Sequence, residues 1–214
     1  MITRPVTISA GSATLDGDLT VPHKARGIVV FAHGSGSSRH SSRNKQVAQH
    51  LQERGLATLL MDLLTPEEER IDVRTAHLRF DIRMLAQRLI YAANWLDYDP
   101  EVQKLGAGYF GASTGGGAAL MAAAQIPDRI RAVVSRGGRP DLAGPALAEV
   151  RAPTLLIVGA LDVEVLQMNE QAMSQMSAPV DLQVVPGATH LFEEPGTLDI
   201  VAQLAGDWFL RHLS

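Results

Sequence analysis

The pentapeptide Gly111-Ala112-Ser113-Thr114-Gly115 sets a hydroxyl among small residues. It joins an apolar, strand-like run, Leu105–Phe110, to a small-residue helical run, Thr114–Gln125. A serine at such a strand-to-helix turn is a candidate nucleophile. Its backbone is sharply bent, so bulky neighbours would clash. The helix N-terminus offers unpaired N–H groups and a positive dipole end to charge developing on a substrate. A phosphate-binding loop is excluded, because Gly-x-x-x-x-Gly-Lys-Ser/Thr is absent.

A serine hydroxyl needs a positioned base, and the base needs an orienting carboxylate. Two later loops supply both. The apolar run Thr154–Val158 leads into Gly159-Ala160-Leu161-Asp162, and Leu182–Val185 leads into Pro186-Gly187-Ala188-Thr189-His190. Alone, Asp162 reads as a helix N-cap and His190 as a polar loop residue. Together, each just beyond a strand, they complete a Ser113–His190–Asp162 triad; Glu164, Glu193 and Glu194 are the competing acids. Acyl transfer also needs two backbone N–H donors for the oxyanion. Thr114, after the nucleophile, is one candidate. Ser35, in the loop His33-Gly34-Ser35-Gly36, is the other, with His33 a structural residue beneath that loop.

These residues must be held by a frame, and hydrophobic periodicity gives its outline. Strands are expected at Val6–Ala10 and Ala13–Val21 (a hairpin with turns at Gly11 and Gly17). Further strands are expected at Gly27–His33, Leu56–Asp62, Leu105–Phe110, Arg131–Ser135, Thr154–Val158 and Leu182–Val185. Helices are expected at 44–54, 76–95, 114–125, 164–176 and 198–213, with 63–75 a polar, acidic connection. Such alternation builds a mostly parallel sheet covered on both faces. No repeat or linker divides the chain, which reads as one domain over 1–214.

The composition is ordinary for a soluble globular protein: 46% hydrophobic, 20% charged, net charge −4. That charge gives no case for nucleic acid or anionic membrane as a partner. There is no cysteine, which removes disulfides, thiolate metal sites and a thiol nucleophile and fits a reducing compartment. No run approaches the roughly 18 apolar residues of a membrane span. A cytoplasmic protein, monomeric or homodimeric, is the expectation. The histidines form no metal-binding spacing and no dinucleotide fingerprint follows a first strand, so no metal or cofactor is expected.

Four phrases, His33-Gly-Ser-Gly, Gly111-Ala-Ser-Thr-Gly, Gly159-Ala-Leu-Asp and Gly187-Ala-Thr-His, resemble the α/β-hydrolase superfamily in order and spacing. His33-Gly-Ser-Gly-Ser-Ser-Arg-His, Asp62-Leu-Leu-Thr-Pro-Glu-Glu-Glu and Ser135-Arg-Gly-Gly-Arg-Pro-Asp look like its dienelactone-hydrolase-like group. Small bacterial members of that group are sometimes joined to phosphoribosyltransferase domains. The resemblance implies an eight-stranded α/β-hydrolase sheet and hydrolysis of small esters or lactones. It also implies an open site, because the interval between Ser135 and Pro153 is too short for a helical lid. Position 113 is serine, a departure from true dienelactone hydrolases, which use cysteine as nucleophile.

Arg39, Arg136 and Arg139 are the candidate substrate-binding residues, able to hold a carboxylate through paired N–H bonds; Arg43, Arg70 and Arg74 are nearby. The alternative for these arginines is pairing with Glu67–Glu69 and Asp141. Two other functions fit the same residues: an acyltransferase or perhydrolase using the triad, and a catalytically silent binding module.

Overall fold

Runs of Val, Ile, Leu and Ala become strands buried on both faces, and the amphipathic and small-residue segments between them become the covering helices. In the computed structural model, which describes residues Met1–Ser214, the strands are β1 (Ile2–Ala10), β2 (Ala13–Val21), β3 (Ile28–Ala32), β4 (Ala57–Met61), β5 (Ala107–Ala112), β6 (Ile130–Arg136), β7 (Thr154–Gly159) and β8 (Val180–Val185). The helices are α1 (Ser42–Glu53), α2 (Pro66–Thr75), α3 (Ile82–Leu96), α4 (Thr114–Gln125), α5 (Val163–Met173) and α6 (Thr197–Leu213). One eight-stranded sheet forms in the order β1-β2-β4-β3-β5-β6-β7-β8, parallel except where β2 pairs antiparallel with β1 and β4. This is the α/β-hydrolase architecture expected from the sequence. The interval from Ser135 to Pro153 holds 3-10 turns over Pro140–Glu149 and no lid domain.

Two cores flank the sheet. Leu85, Leu89 and Leu96 of α3 and Ala118, Ala119 and Leu120 of α4 pack on one face. Val47 and Leu51 of α1 and Val201, Ala205, Trp208 and Phe209 of α6 pack on the other. The Tyr109 hydroxyl, buried in β5, donates to the Leu89 carbonyl at 2.8 Å and ties α3 to the central strand. No helix is long and apolar enough to cross a membrane.

Topology decides where chemistry can occur. The chain passes from β3 outward to β4, then returns to the other side of β3 as β5. A crevice therefore opens between the carboxyl ends of β3 and β5, where open sheets bind ligands. Parallel register brings the strand ends level: Ala32 opposite Gly111, Ala112 opposite Arg136, and Gly159 opposite Val185.

Two local expectations are corrected. Gly17 lies inside β2, opposite Val6, and makes no turn; the hairpin turns at Gly11 alone. The acidic connection 63–75 is largely the helix α2, and the expected long helix 76–95 is broken. Thr65 accepts from the Glu68 N–H and Glu68 from the Thr65 N–H, a capping box with Pro66 in the first turn. Ala76 closes α2 in a left-handed conformation (φ 54°), a 3-10 turn follows at Leu78–Phe80, and Asp81 caps a separate α3.

Candidate active site

Ser113 stands between β5 and α4 with φ 51° and ψ −124°, a left-handed conformation that costs a residue with a Cβ about 1–3 kcal/mol. The surroundings impose it. A Cβ on Gly111 would come within 2.5 Å of the Gly115 carbonyl oxygen, and one on Gly115 within 2.2 Å of the Ala32 oxygen. The two glycines of the pentapeptide thus let β5, α4 and β3 close around the serine. Its own backbone is fixed from β6: the Ser113 N–H donates to the Arg136 carbonyl at 3.3 Å, and the Arg139 N–H donates to the Ser113 carbonyl at 3.0 Å.

Asp162 occupies the N-cap position of α5, yet its side chain caps nothing. Its Oδ2 lies 2.6 Å from His190 Nδ1. The competing acids are engaged elsewhere or unengaged. Glu194 accepts from the Thr189 N–H and hydroxyl, Glu193 faces Arg43 at 3.5 Å, and Glu164 is exposed in the first turn of α5. Ser113 and His190 line one cavity of about 200 Å3, together with Ser35, Arg43, Asn44 and Arg136. The His190 ring bonds Asp162 and makes no direct hydrogen bond to the Ser113 hydroxyl; such contacts commonly tighten only when substrate is in place.

The N–H groups of Ser35 and Thr114 are both free of protein acceptors. Beneath the Ser35 loop, buried His33 donates from Nδ1 to the Gly34 carbonyl at 2.9 Å and accepts the Leu63 N–H at Nε2, 3.0 Å away. Burial lowers its pKa, partly offset by the Gly34 bond and by Asp62 and Glu69. A neutral ring matches these two opposite bonds.

The three candidate arginines separate. Arg39 lies outside the cavity, held by Asp62, by Asp18 at 3.4 Å and by Asp16 at 3.8 Å. Arg139 is paired with Asp141 at 2.7 and 2.9 Å. Arg136 alone enters the cavity, 7% exposed, with its Nε and Nη1 buried and unpartnered. Burial, reinforced by Arg43, lowers its pKa to about 10. Its companion Arg43 is among the arginines the sequence places near the site, whereas Asn44 is not; the Ser41 cap that opens α1 beside the Ser35 loop is the signal that locates both. No cluster of three His, Asp or Glu side chains is arranged to hold a metal.

The family model for the dienelactone hydrolase family matches residues 15–212. The structure of a dienelactone hydrolase from Anabaena variabilis is 59% identical, covers 100% of this chain and 99% of its own, and superposes with a TM-score of 0.98. Est1E from Butyrivibrio proteoclasticus, 16% identical over 97% of this chain and 98% of its own, shares the fold at a TM-score of 0.80. So does a lidless serine hydrolase from Xanthomonas campestris, 19% identical over 98% and 94%, at 0.77. A Mycobacterium tuberculosis protein named a putative phosphoribosyl transferase is 60% identical over 208 residues, 97% of this chain but 46% of that protein. The chain belongs to the dienelactone hydrolase family.

Proposed function

We propose that this hydrolase cleaves carboxylic esters or lactones of small substrates through an acyl-enzyme on Ser113. The observation that carries the reading is the 2.6 Å contact between Asp162 and His190, made in preference to capping α5, beside a serine held at positive φ. His190 takes the Ser113 proton as Oγ bonds to the substrate carbonyl carbon. Asp162 fixes the ring through Nδ1, leaving Nε2 as the base, and stabilises the imidazolium. The free N–H groups of Ser35 and Thr114 receive the oxyanion. His190 passes the proton to the leaving alkoxide as its C–O bond breaks, then activates water to release the acid.

Arg136 extends the reading to an anionic substrate. A buried guanidinium without a carboxylate is costly in the free protein, and a carboxylate or phosphate on the substrate would satisfy it. Arg39 and Arg139, already paired, have no part in this binding. The name carried by the mycobacterial relatives belongs to proteins about twice as long as this chain, and the half shared here is assigned the hydrolase role.

The test is a fluorophosphonate. Ser113→Ala should lose covalent labelling and nearly all turnover of short esters; labelling retained at another residue would refute the nucleophile. Product analysis with competing alcohols or peroxide separates hydrolysis from acyl or peracid transfer, and an unreactive wild type would favour a silent binding module.

A further inference from the structure

The cavity that holds Ser113 and His190 is lined by two arginines, Arg43 and Arg136, and by no Asp or Glu. Arg136 is more than nine-tenths buried, and its Nε and Nη1 have no partner in the protein. Arg43 also has a buried, unpartnered Nε. Its Nη1 meets Glu193 at only 3.5 Å, and that carboxylate is 65% exposed and stands outside the lining. Helix α1 begins at the same wall. Ser41, its cap, accepts the Asn44 N–H at 3.3 Å, while the N–H groups of Ser42 and Arg43 have no protein acceptor. Free N–H groups and aligned peptide dipoles put about half a positive charge at such a helix end. Asn44 is 2% exposed, and its Oδ1 is buried without a partner.

We infer that Arg136, Arg43 and the start of α1 form a seat for a phosphate monoester dianion carried by the ester substrate. The phosphate is held intact; the bond that breaks is the acyl C–O bond at Ser113. Its part in selecting a substrate rests on the serine-hydrolase reading above. Charge is the first argument. Two guanidinium groups and a helix end exceed the single charge of a carboxylate, whereas a phosphate monoester carries nearly two charges at neutral pH. Direction is the second. A carboxylate offers two coplanar oxygens, which one guanidinium fork can occupy. Here the donors come from two elements, the end of β6 and the start of α1, and a tetrahedral group with three terminal oxygens can meet both. Spare donors are the third. The Ser41 hydroxyl, whose oxygen accepts from Asn44, keeps its own proton to give, and the Asn44 amide can present its NH2. The cavity, about 200 Å3 with Ala112 and Leu191 as its apolar lining, favours a compact, polar substrate.

Binding and turnover are read separately. Calorimetric titration of the Ser113→Ala protein at about pH 8 compares phenyl phosphate, a tetrahedral dianion, with phenyl sulfate, a tetrahedral monoanion, and benzoate, a planar one. Phenyl phosphate should bind about ten-fold or more tighter than either. Adding Arg43→Gln should weaken phenyl phosphate about ten-fold and benzoate less, so that the preference narrows. In the wild type, kcat/KM for 4-acetoxyphenyl phosphate should exceed that for 4-acetoxybenzoate about ten-fold, and the phenol released should keep its phosphate. Equal affinity for the three anions, or a phosphate preference unmoved by Arg43→Gln, would overturn the seat. If Arg43→Gln does not fold, competitive inhibition of the wild type by the three anions decides the matter. Inorganic phosphate binding as tightly as phenyl phosphate, with no preference for the phosphorylated ester, would make this a site for the free ion and overturn its substrate role. Selective binding of phenyl phosphate without Ser113 labelling or any ester turnover would bring down the hydrolase reading instead, and leave the seat standing.

Discussion

The two sides of the Ser35 loop are built on opposite electrostatic rules. On the α2 side the buried charges are answered. Asp72 accepts from the Leu78 N–H at 2.7 Å and from Arg79 Nε at 2.6 Å, and Arg88, itself buried, grips Glu68 through two bonds. On the β6 side Arg136 is buried with Nε and Nη1 unpaired, and the Asp162 carboxylate turns away from the helix it could cap. Satisfied polar groups hold a frame; unsatisfied ones in a native protein ask for a partner from outside. The difference teaches that the charges of the α2 side are satisfied within the protein, whereas the β6 side leaves a buried guanidinium for the proposed chemistry to use.

The largest effect should come from the β6 side. Asp162→Asn keeps the shape but lets the ring adopt the wrong tautomer, and kcat should drop about 10,000-fold with KM little changed. Glu194→Gln removes a carboxylate from the same histidine loop and should leave kcat near wild type. Equal losses in the two variants would erase the distinction between the catalytic acid and its neighbour. Next comes the scaffold. Asp72→Ala strips the acceptor from two backbone N–H groups and a guanidinium, and should cost about 3 kcal/mol in denaturant unfolding. Asp72→Asn, which keeps an acceptor, should lose less. A stable Asp72→Ala protein with altered substrate preference alone would make this wall part of the chemistry.

The same contrast explains which features are legible in the sequence. The proposed triad is legible in the sequence because its members are tied to strand ends, and strands announce themselves by apolar runs such as Thr154–Val158. Asp162 is ambiguous by itself, since its position is that of an N-cap; the turn of its carboxylate to His190 supports the triad role. Helix α2 was overlooked because it buries only Asp72 and exposes Ile71 and Val73, so it has no apolar stripe for periodicity to find. Its capping box, Thr65-Pro-Glu-Glu68, was present in the sequence and was the better signal. Arg39 was misplaced for another reason. Its partners Asp16 and Asp18 come from β2 and Asp62 from the end of β4, a convergence set by sheet order and invisible to local spacing. Arg139, two residues from Asp141, could be assigned to that pair from sequence; Arg136 could not be told apart from it until burial was known.

Arg136 sharpens the comparison in a second way, because its two roles have opposite signs. Arg136→Met removes an unsatisfied buried charge and should stabilise the free protein by about 1–3 kcal/mol. The same change should raise KM for a para-hydroxybenzoate ester about 10–100-fold, the loss of a charge-assisted bond, and leave a neutral phenyl ester little affected. Destabilisation, or equal KM increases for both esters, would return Arg136 to the scaffold.

The smallest effect concerns His33, which sits under the loop dividing the two sides. Its Nε2 must stay unprotonated to accept the Leu63 N–H, and burial holds its pKa below the ordinary 6.5. The unfolded chain therefore binds this proton at a higher pH than the folded one. The sign follows from linkage: the stability is fully present above about pH 6.5 and is lost as pH falls from there toward the lower folded value. His33→Asn lacks the titration. Its melting temperature should begin lower than wild type at pH 8, and the gap should narrow as the pH is lowered below about 6.5. Stability, not turnover, is the measurement to use, because the His33 ring acts on the fold through the Leu63 and Gly34 backbone and touches no reacting atom. Parallel stability curves would show that the ring is replaceable and that the loop is held by its backbone alone.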